Sequence, residues 1–176
     1  GTTQCKWDSI IPLEPMWEQL KRIIKPNGAI VMSASQPFTT TLIASNMKMF
    51  RYCWVWDKVK ATNFMSAKCM PLLKTEDICV FSHATANSMS RLKMEYNPQG
   101  ISNVNWDKVN GKNVGGKVAE YRGAKFKGSY KQTTTGYPKN IIKMANDSNK
   151  LHPTQKPVAL MEYLIKTYTN ETETVL

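Results

Sequence analysis

Lysines and arginines are concentrated in the middle of this chain, where they can bind a polyanion. The 176 residues carry 24 Lys and Arg against 13 Asp and Glu, for a net charge of +11. Residues 84–150 hold 12 of the basic and four of the acidic residues, together with seven of the nine glycines. Nucleic acid is the commonest polyanion, although a solvated loop that only aids solubility would have the same composition.

Contacts to nucleic acid in this segment would be of two kinds. Lys and Arg would mainly hold phosphates, while Asn, Gln and Arg can read base edges in the major groove. Aromatic residues are interleaved with these basic residues, and they can stack on nucleobases or pack locally. The stretch 122–131 is densest in basic and aromatic residues together. The candidate nucleic-acid-binding residues are Arg91, Arg122, Lys125, Lys127 and Lys131.

The cysteines and histidines do not point to a metal centre. The four cysteines form no Cys-X-X-Cys pair and only two histidines are present, so we expect no zinc site. Cysteines used as small apolar residues suit a reducing compartment, and we expect a cytoplasmic protein. No apolar run approaches the roughly 18 residues of a membrane helix. The polar residues 1–6 do not resemble a signal peptide.

Helices alternate with short apolar strands on either side of the basic segment. Apolar spacing predicts helices over 12–25, 37–47 and 157–168, and strands over 29–34, 50–59, 77–81 and 174–176. This alternation indicates an α/β layered sheet, with an antiparallel pair around Trp54 and Cys79. Trp54 and Trp56 are expected to pack in the sheet. The basic segment keeps no apolar period, and we expect it to be irregular.

Each predicted helix has an apolar face that should pack on the sheet. The residues expected on these faces are Leu13, Met16, Trp17, Leu20, Ile23 and Ile24 in the first helix, Phe38, Leu42, Ile43 and Met47 in the second, and Met161, Leu164, Ile165 and Tyr168 in the third.

One short motif is specific enough to name a family. Residues 152–157 (His-Pro-Thr-Gln-Lys-Pro), followed by an amphipathic helix, resemble the cofactor-side motif of amino-group DNA methyltransferases. Residues 17–28 resemble the helix and turn after the catalytic strand of that family. Residues 56–58 and 76–81 resemble two paired strands at the sheet edge, and 137–142 resemble the lead-in to the cofactor motif. The order resembles the class in which the catalytic motif comes first and the glycine-rich cofactor loop last.

The resemblance implies a partial Rossmann-like methyltransferase sheet with an inserted basic target-recognition region. The catalytic-side half of the core would be 1–83, the insertion 84–150, and the cofactor-side motif and helix 151–176. The family's Asp-Pro-Pro-Tyr tetrapeptide and glycine-rich loop do not occur in this sequence, so no residue here is assigned a catalytic role. The sequence therefore resembles an internal piece of such an enzyme. We expect it to form a homodimer, exchange elements or need the missing segments of the same enzyme.

The resemblance also implies S-adenosylmethionine as the cofactor. The residues implied to bind it are His152, Thr154, Gln155, Lys156 and Pro157. The hydroxyl, amide and ammonium groups of Thr154, Gln155 and Lys156 can bind the carboxylate of its methionine end. Two alternatives stay open: Thr154 caps the helix that follows, and His152 is only a hydrogen-bonded loop residue.

A base inside a duplex must be flipped out before its amine can be methylated. The residues that could border the flipped base are Ser33, Ser35, Gln36, Asn63 and Phe64. The first three lie at the carboxyl end of a predicted strand, where binding crevices of α/β sheets form, or else they begin the helix at Pro37.

The function implied is methyl transfer from S-adenosylmethionine to double-stranded DNA. Adenine N6 is preferred to cytosine N4 as the target only because it is the more frequent in the family. Two other classes stay open: a relative that binds DNA without chemistry, and a nonfunctional remnant. RNA binding is disfavoured, although a basic patch does not by itself distinguish RNA from DNA.

Overall fold

Three α-helices and six β-strands form in the part of the chain that the structure describes. The structure is a computed structural model that describes residues 9, 11–109, 129–149, 151–152 and 154–176. The elements in chain order are α1 (Leu13–Ile23), β1 (Ile30–Ala34), α2 (Phe38–Ser45), β2 (Phe50–Thr62), a 3-10 turn (Phe64–Ser66), β3 (Leu73–Phe81), β4 (Ser102–Val109), β5 (Ser129–Thr135), β6 (Ile141–Lys143) and α3 (Val158–Tyr168). None of the described helices is both long and apolar enough to cross a bilayer.

The main sheet is mixed and has the strand order β1–β3–β2–β6. Strand β3 runs antiparallel to both β1 and β2, and Cys79 lies opposite both Met32 and Cys53. Strand β6 runs parallel to β2, with Trp56 opposite Ile142. The predicted antiparallel pair around Trp54 and Cys79 is therefore confirmed, and residues 56–58 and 76–81, implied to lie in two paired strands, belong to β2 and β3. The expectation that this pair forms the sheet edge is wrong, because β1 and β6 cover its two outer sides.

Helices pack on both faces of this sheet because β3 alternates two apolar sets. Ile78 and Val80 face a core completed by α3, whereas Cys79 and Phe81 face a core completed by α1 and α2. All four side chains are almost completely buried. The α/β layers expected from the sequence are thus present. Trp54 and Trp56 pack in the sheet as predicted.

Four residues expected on apolar helix faces are instead exposed. In α3 the buried residues include Leu160 and Leu164, which are one helical turn apart and face the sheet, so Met161 and Ile165, each one position later, are turned away from it and exposed. Met47 is exposed because α2 ends at Ser45, two residues before it. Ile23 is exposed at the last position of α1.

The basic segment is more ordered than its composition suggested. Ala84 and Met94 belong to the buried core, and β6 is a strand of the main sheet. The chain packs as two compact units, one of 1–97 with 139–176 and one of Pro98–Pro138. In the second unit, β4 and β5 form an antiparallel pair. This strand pair was not predictable from apolar alternation, because strands exposed to solvent do not need alternating apolar residues.

The predicted strand over 174–176 does not form. These residues follow α3 without regular structure, and no strand of the described chain pairs with them. A strand needs a neighbour for its backbone hydrogen bonds, and an apolar sequence alone does not supply one.

Candidate functional site

A small cleft opens where β2, β3 and the loop before α3 meet. Its volume is about 160 Å³. It lies on the face of the sheet near the carboxyl end of β6, and the carboxyl ends of strands are where ligand crevices of α/β sheets form. The side chains that line it are Trp56, Lys58, Thr62, Glu76, Asn146, Thr154, Gln155 and Lys156.

One carboxylate and two ammonium groups form the polar centre of this cleft. Lys58 Nζ donates to Glu76 Oε1 at 3.4 Å, and Lys156 Nζ donates to the other carboxylate oxygen, Oε2. The ammonium of Lys156 also lies 5.5 Å from the centre of the Trp56 ring, within cation–π range. Two positive charges and one negative charge give this trio a net charge of +1.

The strand pairing explains why these side chains meet. Trp56 and Glu76 are directly opposite in the antiparallel pair, so both point to the same face of the sheet. Lys58 is two residues beyond Trp56 on β2 and shares that face. The loop before α3 then brings Lys156 over the same face, 80 residues away from Glu76 in sequence.

Hydrogen bonds hold the loop that contributes Thr154, Gln155 and Lys156. Gln155 Oε1 accepts from the Leu151 backbone N–H at 3.0 Å, and Gln155 Nε2 lies 3.5 Å from Asp147 Oδ2. The same Asp147 oxygen accepts from the backbone N–H of Val158 at 3.1 Å. The carboxylate of Asp147, and not the Thr154 hydroxyl, therefore caps α3.

His152 and Pro157 take part in this loop without lining the cleft. The backbone N–H of Thr154 donates to His152 Nδ1 at 3.3 Å, and the Thr154 hydroxyl oxygen is 3.0 Å from the same nitrogen. Pro157 is buried and precedes the first residue of α3. Of the five residues implied to bind the cofactor, Thr154, Gln155 and Lys156 thus come together around the cleft.

Ser33, Ser35 and Gln36 lie at the carboxyl end of β1, one strand away from the cleft. Ser33 is an exposed residue of β1 itself. The Ser35 carbonyl accepts from the Thr39 backbone N–H at 3.1 Å, and Gln36 Oε1 accepts from the Thr40 hydroxyl at 2.8 Å. Ser35 and Gln36 therefore hold the first turn of α2 while their loop remains open to solvent.

Asn63 and Phe64 lie beyond the end of β2, in the connection to β3. Asn63 adopts a left-handed conformation (φ 68°) that turns the chain into the short 3-10 turn. The Phe64 side chain is 69% exposed. Neither residue lines the cleft, although their neighbour Thr62 does.

Three of the five candidate DNA-binding residues, Arg122, Lys125 and Lys127, lie outside the described residues. Of the other two, Arg91 is exposed in the first unit, and Lys131 is exposed on β5 opposite Asp107.

The β4–β5 pair also carries exposed aromatic residues. Lys108 pairs with Tyr130 and Trp106 pairs with Gln132, so the four side chains share one face. The Lys108 ammonium lies 5.0 Å from the centre of the Trp106 ring. Trp106 and Tyr130 are both about half exposed. This face combines a cation with aromatic rings, as nucleic-acid-binding surfaces do.

Sequence reasoning missed Lys58 and Glu76 as site residues. A signal was present for Lys58, because it stands two residues after Trp56 in a predicted strand and must share its face. No local signal was present for Glu76, because its place depends on the register between β2 and β3.

One known protein family matches almost the whole length of this chain. The family of DNA methylases of the N6/N4 type matches residues 5–176. A search of curated proteins finds no significant match. The family match covers the cleft residues, both units and all the described secondary structure. The chain therefore belongs to the N6/N4 DNA methylases, which are amino-group DNA methyltransferases.

Proposed function

We propose that the protein transfers a methyl group from S-adenosylmethionine to the exocyclic amine of a flipped base in double-stranded DNA, with adenine N6 as the target. The proposal that the protein binds S-adenosylmethionine rests on the cleft around Glu76, which has a net charge of +1 and convergent hydrogen-bond donors. Family membership supports DNA as the substrate.

The cleft fits the methionine end of this cofactor in chemistry and in size. A carboxylate can accept from the Lys156 ammonium, the Gln155 amide and the Thr154 hydroxyl. A volume of about 160 Å³ is smaller than the roughly 300–1,000 Å³ of pockets that enclose whole ligands. The cleft would therefore hold the amino-acid part and leave the adenosine outside it. The bound cofactor supplies an electrophilic methyl group.

The target base would lie near the carboxyl end of β1, the side of the sheet that carries the cleft. Ser33, Ser35 and Gln36 offer hydroxyl and amide groups there, open to solvent. Asn63 and Phe64 offer an amide and an exposed ring beyond β2. An amide can hydrogen-bond the edge of a flipped base, and an aromatic ring can stack on it.

DNA phosphates would be held by the basic residues of 84–150. Among the described candidates, Arg91 and Lys131 are exposed and therefore accessible to a duplex. On the opposite face of the β4–β5 pair from Lys131, Trp106 and Tyr130 offer stacking surface beside the Lys108 ammonium. Binding of this kind weakens with salt, because each phosphate contact releases a counterion.

The cofactor part is tested by calorimetric titration of this chain with S-adenosylmethionine. Lys156→Met should raise Kd by about tenfold or more, since a hydrogen bond to a charged group contributes about 1.5–3 kcal/mol. The matched control is Lys166→Met, which removes an exposed lysine of α3 that pairs with Glu162. The assignment fails if Lys156→Met and Lys166→Met bind the cofactor equally well.

The DNA part needs two further measurements. Fluorescence anisotropy with a labelled duplex at two salt concentrations should give a Kd that rises steeply with salt. Transfer of a tritiated methyl group to adenine N6, identified after nuclease digestion, then tests the reaction. Cofactor and DNA binding without transfer would indicate a catalytically incomplete binding fragment. Absence of both binding activities would indicate a remnant.

A further inference from the structure

We propose that Lys58 is a positioning residue that gives the cleft its positive charge, so that Lys156 can bind the carboxylate of the cofactor. This inference rests on the proposed cofactor site and extends it to a residue on a neighbouring element. The geometry points to a division of labour in which both lysines bind Glu76, Lys58 from the buried side, and Lys156, the more exposed of the two, also faces the ligand.

The burial of the three side chains supports this division. The Lys58 side chain is 10% exposed, that of Glu76 is 17% exposed and that of Lys156 is 29% exposed. Lys58 is thus the deepest of the three, and its ammonium is 3.4 Å from Glu76 Oε1. A buried ammonium needs a partner, and Glu76 supplies it. Lys156 is the cation most accessible from the cleft.

The Lys58 ammonium makes the net charge of the cleft positive. With only Glu76 and Lys156 the cleft would be neutral, because the carboxylate and the ammonium would compensate each other. Adding the Lys58 charge makes the net charge +1, and each Glu76 oxygen then accepts from a different lysine. A net positive site attracts an incoming carboxylate, and the attraction is strong where water is partly excluded.

A neighbouring ion pair provides a matched control. Asp57 lies between Trp56 and Lys58 and therefore points to the opposite face of β2. Its carboxylate accepts from Lys74 Nζ at 3.1 Å. Lys74 does not line the cleft. Lys74→Met thus removes a paired lysine from the same strand pair without changing the charge of the cleft.

The test compares two ligands that differ only in the carboxylate: S-adenosylhomocysteine and its decarboxylated analogue. The readout is the ratio of their Kd values, measured by calorimetry on the full chain. Wild type should prefer the carboxylate-bearing ligand. Lys58→Met should reduce this preference by about tenfold, the loss expected for one charge-assisted interaction. Lys74→Met should leave the preference unchanged.

A double variant separates charge from structure. Lys58→Met with Glu76→Gln removes one charge of each sign and returns the net charge to +1, so it should recover the preference that Lys58→Met loses. A purely structural role for Lys58 predicts no recovery. Glu76→Gln alone raises the net charge to +2 and should keep or strengthen the preference. It also serves as the test if Lys58→Met does not fold.

The outcomes distinguish this inference from the function on which it rests. If wild type binds both ligands and Lys58→Met keeps the wild-type preference, the inference is overturned and the proposed cofactor site stands. Failure of the double variant to recover, or a loss of preference in Glu76→Gln, also overturns it. If wild type binds neither ligand, the proposed cofactor site is refuted, and the role proposed for Lys58 is refuted with it.

Discussion

Replacing Tyr168 by phenylalanine should destabilise the protein, because its hydroxyl is the centre of a buried polar cluster. Trp54 Nε1 donates to the Tyr168 oxygen at 2.5 Å, and the hydroxyls of Tyr52 and Tyr168 are 2.9 Å apart. These bonds join the end of α3 to β2, and α3 directly follows the loop that carries Lys156. The cluster therefore helps to hold the helix beside the cleft.

The magnitude follows from the groups that lose their partner. Trp54 is almost fully buried, so Tyr168→Phe leaves its indole N–H unsatisfied. An unsatisfied buried donor costs about 1–3 kcal/mol. We expect the free energy of unfolding to fall by about 2 kcal/mol, with Tm lowered by roughly 4–8 °C for a chain of this size.

Urea unfolding followed by circular dichroism measures this change. The control is Tyr163→Phe: the Tyr163 ring packs edge-on against Trp54, but its hydroxyl has no hydrogen-bond partner within the described part of the chain. Tyr163→Phe should change the free energy of unfolding by less than about 0.5 kcal/mol. Equal stability of Tyr168→Phe and Tyr163→Phe would refute the reasoning.

A double-mutant cycle tests whether the cluster acts as a unit. Tyr52→Phe removes one partner of Tyr168, so part of its effect depends on the Tyr168 hydroxyl. The double variant should be more stable than the sum of the two single losses predicts. Strict additivity would mean that the two hydroxyls do not interact in solution.

Three other predictions concern titration, thiol reactivity and the backbone. Burial raises the pKa of the Tyr168 hydroxyl, so above about pH 10 the unfolded chain loses a proton that the folded chain keeps. The free energy of unfolding should therefore fall as the pH rises above about 10. Tyr168→Phe should make this dependence of the free energy of unfolding on pH less steep. Burial raises the pKa of Cys79 to about 12, whereas Cys69 is exposed. Iodoacetamide at pH 8 should therefore label Cys69 before Cys79, as measured by mass spectrometry, and faster labelling of Cys79 would contradict its burial. Gly136 has φ 82°, and a Cβ there would stand 2.5 Å from the Gly100 carbonyl oxygen. Gly136→Ala should therefore disrupt the β4–β5 pair and reduce protease resistance near residue 136. Gly100→Ala should have a smaller effect, because a Cβ at Gly100 would have more open space.

Much of the fold was predictable because its signals are local. The apolar spacing in α1, the alternation of aromatic residues in β2 and the apolar run of β3 each depend on neighbours in the sequence. The motif at residues 152–157 identified the family for the same reason, since the six residues are contiguous. Predictions failed where an element boundary decided exposure, as at Met47, or where a strand had no partner, as at 174–176.

The cleft itself depends on contacts that the sequence could not specify. Lys58 and Glu76 are 18 residues apart, and Glu76 and Lys156 are 80 residues apart. They meet because the β2–β3 register puts Trp56 opposite Glu76 and because α3 packs on that face of the sheet. The sequence alone determined the family, the layered elements and Lys156 as a candidate ligand. Only the tertiary structure decided which charges surround that lysine, because the charge of a site depends on long-range pairing.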